Sequence, residues 1–263
     1  MTVATRAGLY VALMLVFGMP LFRARLATVD ERLDGRFRAL VAIAIVMGLL
    51  LSVLAFLSMV ATMTGSTSLA MDAPVVRTLL AQMAVGRAAI AREVALALAL
   101  VAVLFLRRWA WPIAALGAFA LATLAWSGHG VMDDGWRGAI HLPADIAHLL
   151  AAGAWIGALV SLLLLAIRAS GKLTSEARLL GDASVAFAST GTFIVGTIVA
   201  TGIVNYVFIA GLTVQDVVRS TWGLVLIAKL GVFTLMLMLA AANRYRLAPR
   251  LAAARDRLIP PRR

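Results

Sequence analysis

All three histidines of the chain, His129, His141 and His148, fall within twenty positions of one another. In His141-Leu-Pro-Ala-Asp145-Ile-Ala-His148, residues 141, 145 and 148 follow an i, i+4, i+7 pattern. On a helix this sets imidazole, carboxylate and imidazole along one stripe. Pro143 suits a first helical turn, which predicts a helix starting near residue 142 with His148 about two turns inside it. His129, in Trp126-Ser-Gly-His129-Gly, closes the preceding apolar stretch, so a neighbouring helix can offer a third nitrogen at the same end. Asp133 and Asp134 make the intervening connection acidic and attractive to cations. Met132 lies in that connection, and Met59, Met63, Met71 and Met83 fall near the same side. Thioether sulfur ligates Cu(I), and imidazole accepts copper in either oxidation state. With no cysteine in the chain, soft-metal chemistry has only His and Met to use. The expected metal-ligating set is therefore His129, His141, His148, Asp145, Met132, Met63 and Met71. The plainer reading is that methionines fill gaps between helices and that a lone histidine is a hydrogen-bonded packing residue.

A second group of polar residues interrupts otherwise apolar stretches. Arg92 and Glu93 lie in one, Lys229 in another, and a charge in mid-membrane costs about 2.5–3.5 kcal/mol on insertion scales, so each is expected to face the bundle and find a partner. Lys229 stands seven residues from the outer end of its stretch, roughly 10 Å at 1.5 Å per residue, level with His148. Glu93 and Asp145 are the available counter-ions, for a structural ion pair or for proton coupling. Thr190, Thr197, Thr201 and Asn205, spaced by 7, 4 and 4, form a polar stripe down one helical face. That stripe can line a pathway or hold helices together.

The elements that must position these groups are membrane helices. The 263 residues are 63% hydrophobic and only 14% charged, against about a quarter charged in soluble chains. Soluble enzymes and nucleic-acid binders are excluded, although the net charge is +12. A helix needs roughly 20 apolar residues to cross the hydrocarbon layer. Seven stretches qualify: about 7–22, 39–62, 88–106, 109–128, 146–167, 187–211 and 222–242. Seventeen of the 24 Lys and Arg fall in alternate connections and the C-terminal segment, four on the opposite side. Short cytoplasmic loops collect positive charge, so the N-terminus is expected outside and the C-terminus in the cytoplasm. Residues 1–22 read as a first membrane helix and not as a signal peptide, since no small-x-small cleavage site precedes the arginines that follow. The expectation is an all-α, polytopic transmembrane bundle over residues 1–243. A basic cytoplasmic tail, 244–263, follows beside anionic lipid.

The run His148-Leu-Leu-Ala-Ala-Gly-Ala-Trp155-Ile-Gly157-Ala-Leu is followed by Thr201-Gly-Ile-Val-Asn205 and then by Trp222-Gly-Leu-Val-Leu-Ile-Ala-Lys229-Leu and Ala-Ala-Asn243-Arg-Tyr-Arg-Leu-Ala-Pro249-Arg. In order and spacing this series resembles the CopD family of bacterial inner-membrane copper proteins. Val85-Gly86-Arg87 through Arg92, and Gly128-His129-Gly130, look like the family's earlier segments, so the likeness covers the chain from about residue 80 onward. The resemblance implies a multi-pass protein of the bacterial inner membrane that moves copper from periplasm to cytoplasm, or supports copper resistance beside a periplasmic copper carrier protein. It carries over to His129, His148, Trp155, Asn205 and Lys229. The chain departs from the family in its span count and in having no histidine before 129, which leaves Met63 or Met71 as substitutes for an N-terminal ligand.

Three functions follow from these residues. The first is copper capture at the outer mouth by the His and Met set, with passage along the stripe of Thr201 and Asn205. Imidazole must be neutral to bind metal, so affinity is expected to fall as the pH drops through the ordinary imidazole range. The second is a haem-bearing electron-transfer protein with His129 and His148 as axial ligands. The third is an accessory structural membrane subunit. An enzyme is not expected, because no nucleophile sits beside a base at recognisable spacing.

Overall fold

In a membrane every backbone polar group must be satisfied within the chain, so long apolar stretches become helices. The computed structural model describes residues 3–26, 29–64, 73–127, 135–169, 175–210 and 221–242, and among these there is no strand. The helices are α1 (Val3–Arg23), α2 (Glu31–Thr64), α3 (Ala73–Gln82), α4 (Ala84–Phe105), α5 (Ala110–Ala122) continued by a 3-10 turn (Thr123–Ser127), α6 (Gly135–Ala169), α7 (Ser175–Ala210) and α8 (Thr221–Ala242). Among the described residues each of the seven apolar stretches of the sequence is helical, but for an end residue of the third and fourth. Five of these helices are long and apolar enough to cross a membrane; Ala110–Trp126 and Gly223–Met238 are apolar but shorter.

Two elements differ from expectation. Helix α3 forms within a connection for which no helix is foreseen, and Gly86 lets the start of α4 lie against the backbone of Leu79 and Leu80, where a Cβ would collide. Helix α6 begins at Gly135, at φ +65°, seven residues ahead of the start expected from Pro143. Pro143 stands inside the helix instead, and it and Ala139, whose carbonyl it leaves without a helical donor, are both exposed.

The chain divides into two compact units, residues 1–209 and 210–263. In the first, α1 packs against α2, α5 and α6, while α4 bridges α2 and α5. Leu13, Val16 and Met19 of α1, Phe37, Val41 and Ile45 of α2, Leu96 of α4 and Ile113 and Leu121 of α5 are fully buried together. Outward faces of the same helices carry Ile43, Leu50 and Leu54 or Leu98, Val101 and Leu104 exposed, as surfaces in contact with lipid tails should. Contact between α1 and α6 is backbone-close. A Cβ on Gly18 would strike the carbonyl of Gly153 and come within 2.8 Å of the Gly157 Cα, the small-residue packing that brings membrane helices together. In the second unit α8 is apolar and carries Leu224, Val225, Val232 and Leu235 exposed.

One end of the first unit is tied by charge. Asp34 accepts from Arg23 Nε at 2.7 Å, Arg38 Nε at 3.0 Å and the indole of buried Trp109 at 3.1 Å. Arg38 also donates to the carbonyls of Val103, Leu106 and Arg107, at 3.0, 2.9 and 3.0 Å, covering acceptors that the end of α4 leaves open. Asp30 caps α2 by accepting from the Leu33 amide at 2.7 Å and pairs with Arg168 at 2.7 Å. The ends of α1, α4 and α6 and the start of α2 thus meet at one arginine-rich level. His141 lies toward the opposite end.

Candidate metal centre

Helix α6 runs from the histidine-bearing end toward the arginine-rich end, and α7 returns beside it. Three facing pairs fix their antiparallel register. The ring of His141 stacks on Phe208, with centroids 5.2 Å apart and planes at 15°. One turn further along α6, Asp145 Oδ1 accepts from Asn205 Nδ2 at 3.4 Å. Almost a turn beyond that, His148 Nδ1 lies 3.0 Å from Thr201 Oγ1. Asp145 and His148 therefore meet Asn205 and Thr201 of the polar stripe of α7, while His141 meets Phe208, outside that stripe.

The environments along this stripe differ. His141 is 1% exposed. Its stacking partner Phe208 also lies edge-on to Trp136, at 6.3 Å, and beneath the Arg137 guanidinium, at 5.2 Å. Asn205 Oδ1 is buried and accepts no hydrogen bond among the described residues. The Thr201 hydroxyl reaches back to the carbonyl of Thr197 at 2.6 Å and lies 3.3 Å from that of Ile198. Gly202 stands beside His148, whose ring Cε1 would be in ordinary van der Waals contact, at 3.6 Å, with an added Cβ. Deeper still the interface turns aromatic: Trp155 packs on Phe187 at 5.5 Å, Phe187 meets Phe22 of α1 at 6.4 Å, and Gly191 leaves room for the Trp155 ring.

Seven residues of α-helix rise about 10 Å, so His141 and His148 stand at two levels, too far apart to ligate one ion from a regular helix. Asp145 lies between, within one turn of either. Among the described residues no three His, Asp or Glu side chains form a metal-holding group. His129, Met132 and Met71 lie outside the described residues, as do Asp133 and Asp134 and the side chain of Lys229. Met63, at the end of α2, is 57% exposed. It stands at the histidine-bearing end, as does Met83, which precedes α4 and is also exposed.

Arg92 finds hydroxyl partners, not a carboxylate. It is 4% exposed, donates from Nε to Ser52 Oγ at 2.7 Å and from Nη1 to Thr123 Oγ1 at 3.2 Å, and so links α4 to α2 and to the 3-10 turn after α5. Glu93, its neighbour in sequence, lies close to the same Ser52 and within electrostatic range of Arg92, and its Oε1 is buried without a hydrogen-bond partner among the described residues. Ser52, Thr123 and Phe208 escape a reading of the sequence, because hydroxyl and phenyl groups are ordinary in membrane helices and only the tertiary register singles these out. Thr197 and Thr192 donate back to carbonyls four residues earlier. Thr201 meets a titratable side chain, His148, across the interface.

Residues 1–139 match the family described as copper resistance protein D-like, N-terminal domain, and residues 182–263 match the copper resistance protein D family. The chain is 38% identical over 256 residues to copper resistance protein D of Pseudomonas syringae pv. tomato, covering 95% of this chain and 83% of that one. It is 31% identical over 137 residues to inner membrane protein YebZ of Escherichia coli (strain K12), covering 52% of this chain and 46% of that one. No solved structure matches.

Proposed function

The chain belongs to the copper resistance protein D family, and from that premise we propose that this multi-pass inner-membrane protein captures copper at the periplasmic mouth of its helical bundle and passes it inward in support of copper resistance. The ligands act in series. His129 and Met132, with Met63 and Met71, take copper at the mouth; His141 follows, then Asp145 and His148 about two turns deeper. Copper is cargo here, and the protein is not an enzyme. A periplasmic copper carrier is the partner that would deliver it, and the acidic pair Asp133 and Asp134 favours a cation on that side.

One observation supports this reading best: the stripe His141, Asp145, His148 lies against Phe208, Asn205, Thr201, so two imidazoles and a carboxylate are sequestered along a single interface. Histidine and aspartate within membrane helices are costly and are kept where they do work. Proposed direction follows from charge. Arg23, Arg38, Arg107 and Arg168 gather at the end away from the histidines, which the positive-inside tendency assigns to the cytoplasm. The α7 residues Asn205 and Thr201 line the first part of the inward route, and the Trp155–Phe187–Phe22 cluster closes it below.

Titrating the purified protein with Cu(I) in a competition assay tests the proposal, repeated with His148→Ala and His129→Ala. The expected result is bound copper in the wild type and a lost or weakened site in each variant. Unchanged stoichiometry and affinity in both would overturn it.

A further inference from the structure

The hydrogen-bond geometry around Thr201 fixes which nitrogen of His148 carries a proton. A threonine hydroxyl has one hydrogen and two lone pairs. Thr201 Oγ1 lies 2.6 Å from the Thr197 carbonyl oxygen. Two oxygens at that distance without a hydrogen between them would set lone pairs against each other, so the hydroxyl hydrogen belongs to this bond. With that hydrogen committed, Oγ1 can only accept from His148 Nδ1, 3.0 Å away. Nδ1 must then carry the ring hydrogen, and in neutral imidazole the lone pair falls to Nε2.

We infer that Thr201 is a positioning residue for copper. Its hydroxyl, oriented by the Thr197 carbonyl, holds His148 as the Nδ1–H tautomer and turns Nε2 into the nitrogen that ligates. The inference rests on the reading of His148 as a ligand, and gives that ligand the outer hydrogen bond that metal-bound histidines generally make through their other nitrogen. Position matters as well as tautomer. Thr201 sits on α7 and His148 on α6, so the ring direction depends on the register of the two helices, and any sliding between them would release it. A threonine whose hydroxyl merely bonds its own helix, as that of Thr197 does among the described residues, has no such effect.

The test uses the full chain in lipid nanodiscs at pH 8, labelled with 15N histidine, with His148→Gln to assign the His148 signals. In the copper-free wild type, nitrogen NMR is expected to show His148 with a protonated Nδ1 and a bare Nε2. Thr201→Ser, which keeps the hydroxyl, should retain that pattern; Thr201→Val, which keeps the shape without the oxygen, should lose it. In Cu(I) competition titrations Thr201→Val should bind on the order of 10–100-fold more weakly, and Thr201→Ser close to wild type. A bare Nδ1 in the wild type, or a Thr201→Val protein with unchanged ring protonation and unchanged affinity, would overturn the inference. If Thr201→Val does not fold, the wild-type spectrum and the serine variant still decide it. Failure of the wild type to bind Cu(I) would count against His148 as a ligand and leave the ring-proton measurement to judge Thr201 alone.

Discussion

Nδ1 of His148 on α6 stands 3.0 Å from Oγ1 of Thr201 on α7, and the next polar pair toward the mouth, Asp145 and Asn205, repeats the relationship at 3.4 Å. These cross-helix bonds, with the His141–Phe208 stack, set the register of an interface whose flanks on α7 are otherwise largely exposed. Asn205→Leu removes the donor to Asp145 and leaves a carboxylate facing an apolar side chain. Interhelical hydrogen bonds in membranes average about 0.6 kcal/mol and reach about 1.7 kcal/mol; at 3.4 Å this one belongs near the average. Thermal unfolding in detergent should show a lower midpoint, with weaker Cu(I) binding in the same variant. A variant as stable and as tight as wild type would remove Asn205 from the site.

Packing between α1 and α6 supplies a second expectation. Gly18 approaches Gly153 and Gly157 at backbone distance, with no room for a methyl group, whereas among the described residues nothing lies within 4 Å of a Cβ built on Gly196. Gly18→Ala should therefore destabilise by roughly 1–3 kcal/mol, the usual effect of overpacking. Gly196→Ala should be neutral or stabilise by up to about 1 kcal/mol, because alanine favours a helix more than glycine does. Equal responses of the two variants in an unfolding titration would contradict the close approach.

The buried guanidinium of Arg92 provides a third. Ser52→Ala deprives Arg92 Nε of its 2.7 Å acceptor, and an unsatisfied buried group costs about 1–3 kcal/mol, more when charged. In an Arg92→Leu background the same serine change should cost far less, because the donor it serves is gone. Additive losses in this double-mutant cycle would show that Ser52 and Arg92 do not interact.

Much of this architecture is legible in the sequence, because a bilayer lets hydropathy decide secondary structure. The stretches 7–22, 39–62 and 222–242 fall inside α1, α2 and α8. The start of α6 is not legible. Pro143 reads as a first-turn proline, yet the helix passes through it where its ring and the carbonyl it frees are exposed. The i, i+4, i+7 stripe of His141, Asp145 and His148 is visible from spacing, but spacing alone suggests one cluster, while the helical rise sets its two histidines at levels about 10 Å apart. Nor can the sequence say that Arg92 would bond Ser52 and Thr123 instead of a carboxylate, since that pairing depends on how α2, α4 and the turn after α5 come together.

Copper K-edge X-ray absorption of the Cu(I)-loaded protein, beside His148→Ala, tests the central claim most directly. The account predicts imidazole scattering from the bound ion in the wild type and its loss or marked reduction in the variant. A wild-type spectrum without histidine scattering, or one that His148→Ala leaves unchanged, would contradict it.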